Sequence, residues 1–320
     1  MLIDDGSGDG TAAIAREYAE RDRRVCAIAN DRRLGVLGNT RRAFSLPREL
    51  FPGAEYWALG SDHDRWEPRW LQTLVGLLDA APDAVLAYSL TRRIDEHGRP
   101  YPGAKPPWRF DSRSVADPRE RLRRTYRGMA AGDMIYGLFR IAALDQVGGY
   151  RAVLVPDRLL LTELSLHGTF LQAEEVLWER RFRGLAELDR QRRQFFLDGV
   201  PAYARLPWWL QHVGLFAWEY CVRGKGAPLG IGRLRGWRLA VDHLEVSIRH
   251  RLWRRARRAR LRAVRTRDAL LGPPVRAALR SRGIRRLTAQ GLIPLLERTE
   301  HTLDRLTSEA EPAREVENVR

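Results

Sequence analysis

The sequence contains only two cysteines and two lysines, and it has no long uninterrupted apolar run. Cys26 and Cys221 lie far apart, which excludes a disulfide framework and the closely spaced thiols of a zinc site. The most apolar stretch, residues 206–222, contains Gln211 and His212 and is shorter than the roughly 20 apolar residues of a membrane-spanning helix. No signal-peptide pattern opens the chain, so the sequence predicts a protein of a reducing, cytoplasmic compartment.

The charge of the chain is unevenly distributed. Its 320 residues are 44% hydrophobic, enough for one large α/β domain and a smaller appendage. The formal net charge is +16, yet residues 1–100 hold 14 arginines against 16 acidic residues, so the positive excess lies downstream. This asymmetry predicts that the C-terminal region, rather than the N-terminal half, meets an anionic surface.

Two apolar segments end in acidic sequences that contain glycine. Residues 2–11 read LIDDGSGDGT, and the motif GSDHD at 60–64 follows the apolar residues 56–59. In open α/β sheets ligands bind beyond the carboxyl ends of the strands, where glycine lets the backbone approach them closely. The two motifs therefore predict a ligand site, the alternative being a pair of solvated turns.

The second motif has the spacing of a metal site. In an extended segment, residues two apart point to the same side, so Asp62 and Asp64 would face one point. Mg²⁺ uses one or two carboxylates and completes its shell with water and phosphate oxygen. His63, between them, is either a further ligand for Mn²⁺ or an imidazole turned to the sheet or the solvent.

Hydrophobic periodicity predicts an α/β protein with a mostly parallel sheet. The predicted strands are 25–29, 85–91 and 133–140; the predicted helices are 11–20, 39–44, 68–80, 117–127 and 157–167. The segment 96–114 is rich in proline, glycine and aromatic residues and predicts a loop.

The C-terminal part is aromatic, basic and helical. Residues 249–267 contain ten arginines and no acid, interleaved with apolar residues that include Leu252 and Trp253. An amphipathic helix is predicted at about 287–306, before an acidic tail. Tryptophan beside arginine is typical of an interfacial helix on anionic lipid. The alternative is phosphate binding in nucleic acid, but no nucleic-acid motif accompanies the arginines, so no nucleic acid is expected as a partner.

Several motifs together resemble the family 2 glycosyltransferases of the GT-A fold, over roughly residues 1–185. They are the two acidic motifs, the segment Asn30 to Asn39 with Gly35, Trp66 and Pro68, Gly148-Gly149-Tyr150, Pro156-Asp157, and Trp178-Glu179-Arg180-Arg181. The resemblance implies an α/β, GT-A (Rossmann-like), mostly parallel sheet flanked by helices, with a C-terminal helical, basic appendage. We expect a nucleotide-sugar domain at 1–197, a membrane-associating region at 198–308 and a disordered tail at 309–320. Members of that family usually have a further strand before the Asp-Asp turn, so the resemblance leads us to expect that the first strand is missing here, and an inactive truncated remnant is the alternative to an active enzyme.

The resemblance also implies an activity and the partners that go with it. We expect inverting transfer of a sugar from a nucleoside diphosphate donor, with UDP favoured, to a glycan or lipid-linked acceptor. A divalent metal, Mg²⁺ or Mn²⁺, would assist the reaction. The expected location is the cytoplasm, peripheral at the inner face of the cell membrane, where the acceptor would belong to envelope polysaccharide synthesis.

Site residues follow from the same resemblance. Asp5, with Asp4 as the fallback, matches the carboxylate that accepts a hydrogen bond from the base, the alternative being a turn-stabilising aspartate. Asp62 and Asp64 match the metal motif, where Asp62 would also contact the nucleotide, and Arg180 and Arg181 match positions near the diphosphate. Asp157 matches the catalytic base, although an aspartate at a helix start is also a good N-cap; Glu163 is the second choice.

Overall fold

The structure is a computed structural model that describes residues 1–102, 106–182 and 188–270. In these residues the strands are β1 Leu2–Asp4, β2 Ala27–Ala29, β3 Tyr56–Ala58, β4 Arg65–Trp66, β5 Ala84–Ile94, β6 Leu138–Arg140 and β7 Thr169–Arg181. The helices are α1 Thr11–Arg21, α2 Gly35–Leu50, α3 Trp70–Asp79, α4 Pro118–Gly128, α5 Ala131–Met134, α6 Ile141–Val147, α7 Pro156–Leu164, α8 Leu188–Phe195, α9 Trp208–Ala217 and α10 Arg233–Leu270. A π-helical turn, Trp218–Val222, follows α9.

The first two strands form a parallel sheet of their own. Ile3 lies opposite Ile28, and beyond the strands the Asn30 N–H donates to the Asp4 carbonyl oxygen at 2.9 Å. Because parallel strands end at the same edge, this pairing brings Asp4, Asp5 and Asn30 together.

The other five strands form a mixed sheet in the order β3-β6-β5-β7-β4. The long central pair, β5 and β7, is parallel, whereas β3–β6, β6–β5 and β4–β7 are short antiparallel pairs. The predicted α/β class is confirmed, and the longest pairing is parallel as expected. The sequence does not reveal the antiparallel flanks, because they depend on which distant strands become neighbours.

Helix α3 covers one face of this sheet. Its residues Trp70, Leu74 and Leu78 recur every four positions, form one face of the helix and are buried against strand residues that include Leu171 and Trp178. At about 25 cal/mol per Å² of apolar surface, such side chains contribute about 1.5–3 kcal/mol each. This packing fixes β7, the strand that carries Arg180 and Arg181.

A second apolar cluster joins α4 to the C-terminal helices. Leu122 of α4 and Leu166 pack with Phe216, Tyr220 and further residues of α9, the π-helical turn and α10. Residues beyond 198 therefore share a core with the helices that precede them. Among the residues that the structure describes, no helix combines the length and hydropathy needed to cross a membrane.

Several predicted elements have different ends in the structure. Helix α2 spans Gly35–Leu50 rather than 39–44, and β7 is absent from the predicted strands. The segment 133–140 is predicted as a strand, which is wrong for its first half, because Ala131–Met134 is helical. The strand begins only after Gly137, where a Cβ atom would lie 2.5 Å from the Ala87 carbonyl oxygen. A close approach of this kind is not visible in the hydrophobic periodicity.

The packing divides the chain into two compact units after Leu244. The first unit contains every strand named above and the helices up to the first part of α10. The second begins at Glu245, and its described part is the remainder of α10, which includes the arginine-rich residues 249–267. The helix predicted at 287–306 and the tail at 309–320 lie outside the described residues. The predicted functional boundary at 197 stays a prediction.

Candidate active site

Asp5 is a structural acceptor at the start of α2. Its Oδ1 accepts hydrogen bonds from Asn30 Nδ2 at 2.8 Å and from the Leu34 N–H at 2.7 Å, and its Oδ2 accepts from the Gly35 N–H at 2.8 Å. The last two are unpaired amides of the helix N-terminus, where negative charge is favourable. Gly35 has a φ of +73°, so glycine suits this turn. Asp5 therefore shapes the 30–35 loop.

Asp4 is buried and has unused hydrogen-bonding capacity. Its Oδ2 accepts from the Ser7 N–H at 3.1 Å, and hydrogen bonds with Ser7 lower the pKa of the carboxyl. Its Oδ1 and the neighbouring Asn30 Oδ1 have no partner among the described residues. Buried acceptors without a donor are rare in folded proteins.

The two carboxylates of the second motif lie on either side of His63. Asp62 Oδ1 is 2.8 Å from Nδ1 and Asp64 Oδ1 is 3.8 Å from Nε2. The environments differ, because the Asp62 side chain is 96% exposed and that of Asp64 only 2%. Asp64 Oδ1 also accepts from the Arg181 N–H at 2.8 Å.

The side chain of Arg181 holds the loops around this motif. Its guanidinium donates to the carbonyl oxygens of His63 and Asp95 at 2.9 Å each, and also to that of Glu96. Three carbonyl contacts commit this group to the loops. The structure therefore places Arg181 beside the acidic motif as a connector.

Arg180, unlike Arg181, forms an ion pair with Asp133 of α5. Its Nη1 donates to Asp133 Oδ1 at 2.8 Å, and its cation lies 5.9 Å from the Trp178 ring. Burial lowers the pKa of Arg180, but the charge of Asp133, with smaller effects of Tyr136 and Asp64, outweighs it and the pKa is raised. The guanidinium is thus charged and only partly exposed.

Asp157 occupies the first turn of α7. Its Oδ1 accepts from the Arg158 N–H at 2.9 Å. Burial raises the pKa of the carboxyl, and this hydrogen bond with the charges of Arg158 and Arg180 only partly offsets the effect. A raised pKa makes a carboxylate a better proton acceptor.

Tyr136 connects three of the predicted acids. Its ring packs 4.9 Å from the Trp178 ring. Burial raises the pKa of Tyr136, and the charges of Asp64, Asp157 and Asp62 raise it further, whereas that of Arg180 lowers it. The charges of Asp62, Asp64, Asp157 and Arg180 therefore all act on one phenol.

Glu163 lies away from this group, inside the protein. It is fully buried in α7, with Lys225 Nζ at 3.4 Å and Arg151 Nη2 at 3.8 Å. Burial raises the pKa of Glu163 against the opposing charges of Lys225 and Arg151. This environment is that of a structural ion pair.

The donor set fits a divalent cation only in part. No group of three or more His, Cys, Asp or Glu side chains is arranged to hold a metal in the described ranges. Asp62 and Asp64 nevertheless both approach the His63 ring, and two carboxylates are the number that Mg²⁺ uses when phosphate oxygens complete the shell.

Sequence reasoning missed Tyr136 and Asp133. Asp133 lies in α5 and Tyr136 between α5 and β6, both in the segment predicted as one strand, and their roles come from neighbours far away in the chain. The hydrogen bonds of Asp4 and Asp5 are made with residues 7 and 30–35, and they share no partner with the residues described around Tyr136.

Residues 1–147 match the family model described as Glycosyl transferase family 2. The match covers somewhat less than half of the chain, and it supports a glycosyltransferase enzyme. The comparison with curated proteins gave no match. A solved structure, the mannosyltransferase PcManGT from Pyrobaculum calidifontis in complex with GDP-Man and Mn²⁺, is similar at 16% identity with a TM-score of 0.40, over 78% of this chain and 76% of that one.

We predict that Asp5→Ala lowers the free energy of unfolding by about 2–3 kcal/mol, because two helix N-terminal amides and Asn30 lose a charged acceptor. Urea denaturation would measure it. Asp31→Ala, an exposed change in the same loop, serves as the control and should stay within about 0.5 kcal/mol of the parent. Equal effects of the two substitutions would contradict a structural role for Asp5.

Proposed function

We propose that this glycosyltransferase transfers a sugar with inversion from a UDP-linked donor to a hydroxyl group of a glycan or lipid-linked acceptor. The observation that carries the proposal is that the charges of Asp62, Asp64, Asp157 and Arg180 all act on Tyr136, whose ring packs against Trp178 on the strand that carries Arg180 and holds Asp64. It combines carboxylates for a cation, a guanidinium for phosphate oxygens and a buried carboxylate for a proton.

Asp157 is the proposed base. It accepts the proton of the acceptor hydroxyl while that oxygen attacks the anomeric carbon, from the face opposite the departing nucleoside diphosphate. Its raised pKa supports this role, since proton transfer is most efficient when the base is not too weak. Glu163 is the weaker candidate because Lys225 and Arg151 already face its carboxylate.

In the bound donor, we propose that Asp4 contacts the uracil ring and that Arg180 contacts the diphosphate. Asp4 Oδ1, which has no partner among the residues that the structure describes, can accept the imide N–H of uracil, whereas Asp5 holds the neighbouring loop. Arg180 keeps donors beyond the one that it gives to Asp133. Arg181 holds the Asp64 carboxylate through its backbone N–H and is therefore a positioning residue of the proposed metal site.

Asp62 and Asp64 would hold Mg²⁺ or Mn²⁺. When bound, the metal would act as a Lewis acid that stabilises negative charge on the diphosphate. His63, which now lies between the two carboxylates, would have to move or become a ligand.

Asp157→Asn should lower kcat by about 10²- to 10⁴-fold with little change in the KM of the donor, because it removes the base and keeps the shape. The measurement is release of free UDP in a donor screen. In the parent, kcat/KM should fall as the pH is lowered, because protonation of Asp157 removes the base. The fall should begin at a higher pH than it would for an aspartate of ordinary pKa, since burial raises the pKa of Asp157. Glu163→Gln, the matched carboxylate control, should retain kcat; loss of kcat only in this variant would make Glu163 the base.

Chelation should abolish UDP release, and Asp64→Ala should reduce it strongly, because the metal would lose its buried carboxylate. Binding of UDP by calorimetry, with and without Mn²⁺, measures the same step without turnover. Asp95→Ala, a nearby acid that caps a turn, is the control. Unchanged UDP release and binding in Asp64→Ala would remove the metal assignment, and a parent that binds no UDP under either condition would indicate an inactive remnant.

We further propose that α10 attaches the protein to the inner face of the cell membrane. Leu234, Trp237 and Val241 lie three and four residues apart on one helix face and are 53–71% exposed. Exposed Arg233, Arg235 and Arg238 flank them. Apolar residues with tryptophan on one face and arginines beside them suit an interface with anionic lipid.

The double variant Leu234→Ser, Trp237→Ser should lose binding to vesicles of phosphatidylcholine and phosphatidylglycerol in flotation, because the helix face would no longer enter the lipid. Leu71→Ser, which changes an exposed leucine of α3, is the control and should float like the parent. Binding of duplex DNA by the parent, without flotation, would replace the membrane proposal with the nucleic-acid alternative.

A further inference from the structure

The segment before Asp157 is held by side chains from a later part of the chain. It is neither helix nor strand, yet four backbone groups of residues 152–155 are hydrogen-bonded to side chains. Tyr203 OH donates to the Ala152 carbonyl, His212 Nε2 donates to the Leu154 carbonyl, Gln211 Oε1 accepts the Leu154 N–H and Gln191 Oε1 accepts the Val155 N–H, at 2.8, 2.7, 3.0 and 3.0 Å.

Val155 shows why such support is needed. Its φ of 54° and ψ of 50° lie in the left-handed region, which β-branched residues rarely adopt. Among the described residues it is the only non-glycine with a positive φ. A strained conformation persists when the surroundings over-determine it, and such residues cluster at functional sites.

The strained residue leads directly into the helix that carries the proposed base. The Val155 carbonyl accepts from the Arg158 N–H at 3.1 Å, and the same N–H lies 2.9 Å from Asp157 Oδ1. The orientation of the 154–155 peptide therefore sets where the first turn of α7, and with it the Asp157 carboxylate, points.

The supporting side chains are themselves fixed. Gln211 Nε2 donates to the Leu206 carbonyl at 2.7 Å, which sets the amide so that Oε1 faces Leu154. His212 is fully buried, and burial lowers its pKa to about 3, so its imidazole is neutral. Because only an N–H can pair with a carbonyl oxygen, its proton is on Nε2.

We propose that Gln191, Gln211 and His212 are positioning residues of the transfer reaction, which hold residues 154–155 in the left-handed turn that aims Asp157. The inference rests on the proposed role of Asp157 as base. It makes α8 and α9 part of the catalytic apparatus.

The test compares His212→Phe and Gln191→Ala with the parent. His212→Phe keeps a ring against Trp208 but removes the donor, and Gln191→Ala acts at a half-buried position, where folding should be preserved. We expect kcat to fall about 10- to 100-fold with the donor KM nearly unchanged, because a small displacement of a reacting group has that effect. His212→Gln, which restores an N–H donor, should recover part of the loss.

A matched control separates positioning from general destabilisation. Phe216→Leu alters the buried core of α9 without touching residues 152–155, so it should lower the melting temperature but keep kcat. If Phe216→Leu lowers kcat as much as His212→Phe at equal thermal stability, the positioning role is overturned. Failure of His212→Gln to recover activity would also count against it.

Hydrogen–deuterium exchange of the peptide covering 151–158 tests whether these side chains hold residues 154–155, and it does not require catalytic activity. The amides of Leu154 and Val155 should exchange faster in Gln211→Leu and Gln191→Ala, whereas the β5 and β7 peptides stay protected. Unchanged exchange would overturn the inference. A parent that releases no UDP would contradict the proposed function alone, since the exchange result still decides whether these side chains hold the turn.

Discussion

The candidate site depends on the hydrogen bond from the Arg181 N–H to Asp64 Oδ1, which joins positions 117 residues apart. It fastens the acidic turn after β3 to the end of β7, a strand that pairs with both β5 and β4. The turn thereby takes its position from the sheet rather than from its own sequence, which has glycine and little apolar burial. The Arg181 guanidinium, which also holds the His63 carbonyl, reinforces this connection.

The other side of the site depends on residues beyond 188. Periodicity alone separates a catalytic domain from a helical appendage at 197, but contacts cross this position. Phe216 and Tyr220 pack with Leu122 and Leu166, and side chains of α8 and α9 hold the strained turn at Val155. The strain is stable because the surrounding core is close-packed. Truncation at 197 would therefore be expected to disturb the first turn of α7 as well as the C-terminal helices.

The sequence predicts those parts of the fold in which local chemistry decides the outcome. The strands before Asp4 and before the 60–64 motif, helix α3 and the helix that starts beside Asp157 follow from apolar periodicity and glycine. Strand β7 escapes prediction because Glu174 and Glu175 interrupt its apolar alternation in the middle. Tyr136 and Asp133 escape because their partners, Trp178 and Arg180, lie more than 40 residues away. A single sequence carries no record of such pairings.

The sequence predicts the region of the site better than the role of each residue, because the site contains pairs of adjacent residues of the same type. Along extended backbone, neighbouring side chains point to opposite sides, so Arg180 and Arg181 cannot both face one phosphate group. The structure separates them: Arg180 turns to Asp133, and Arg181 is committed to loop carbonyls. Asp4 and Asp5 differ in a similar way: within the described part of the chain, one oxygen of Asp4 has no donor, whereas Asp5 accepts from three donors. In each pair, the member that retains hydrogen-bonding capacity is the better candidate for the ligand, because a committed group would first have to give up its existing partners.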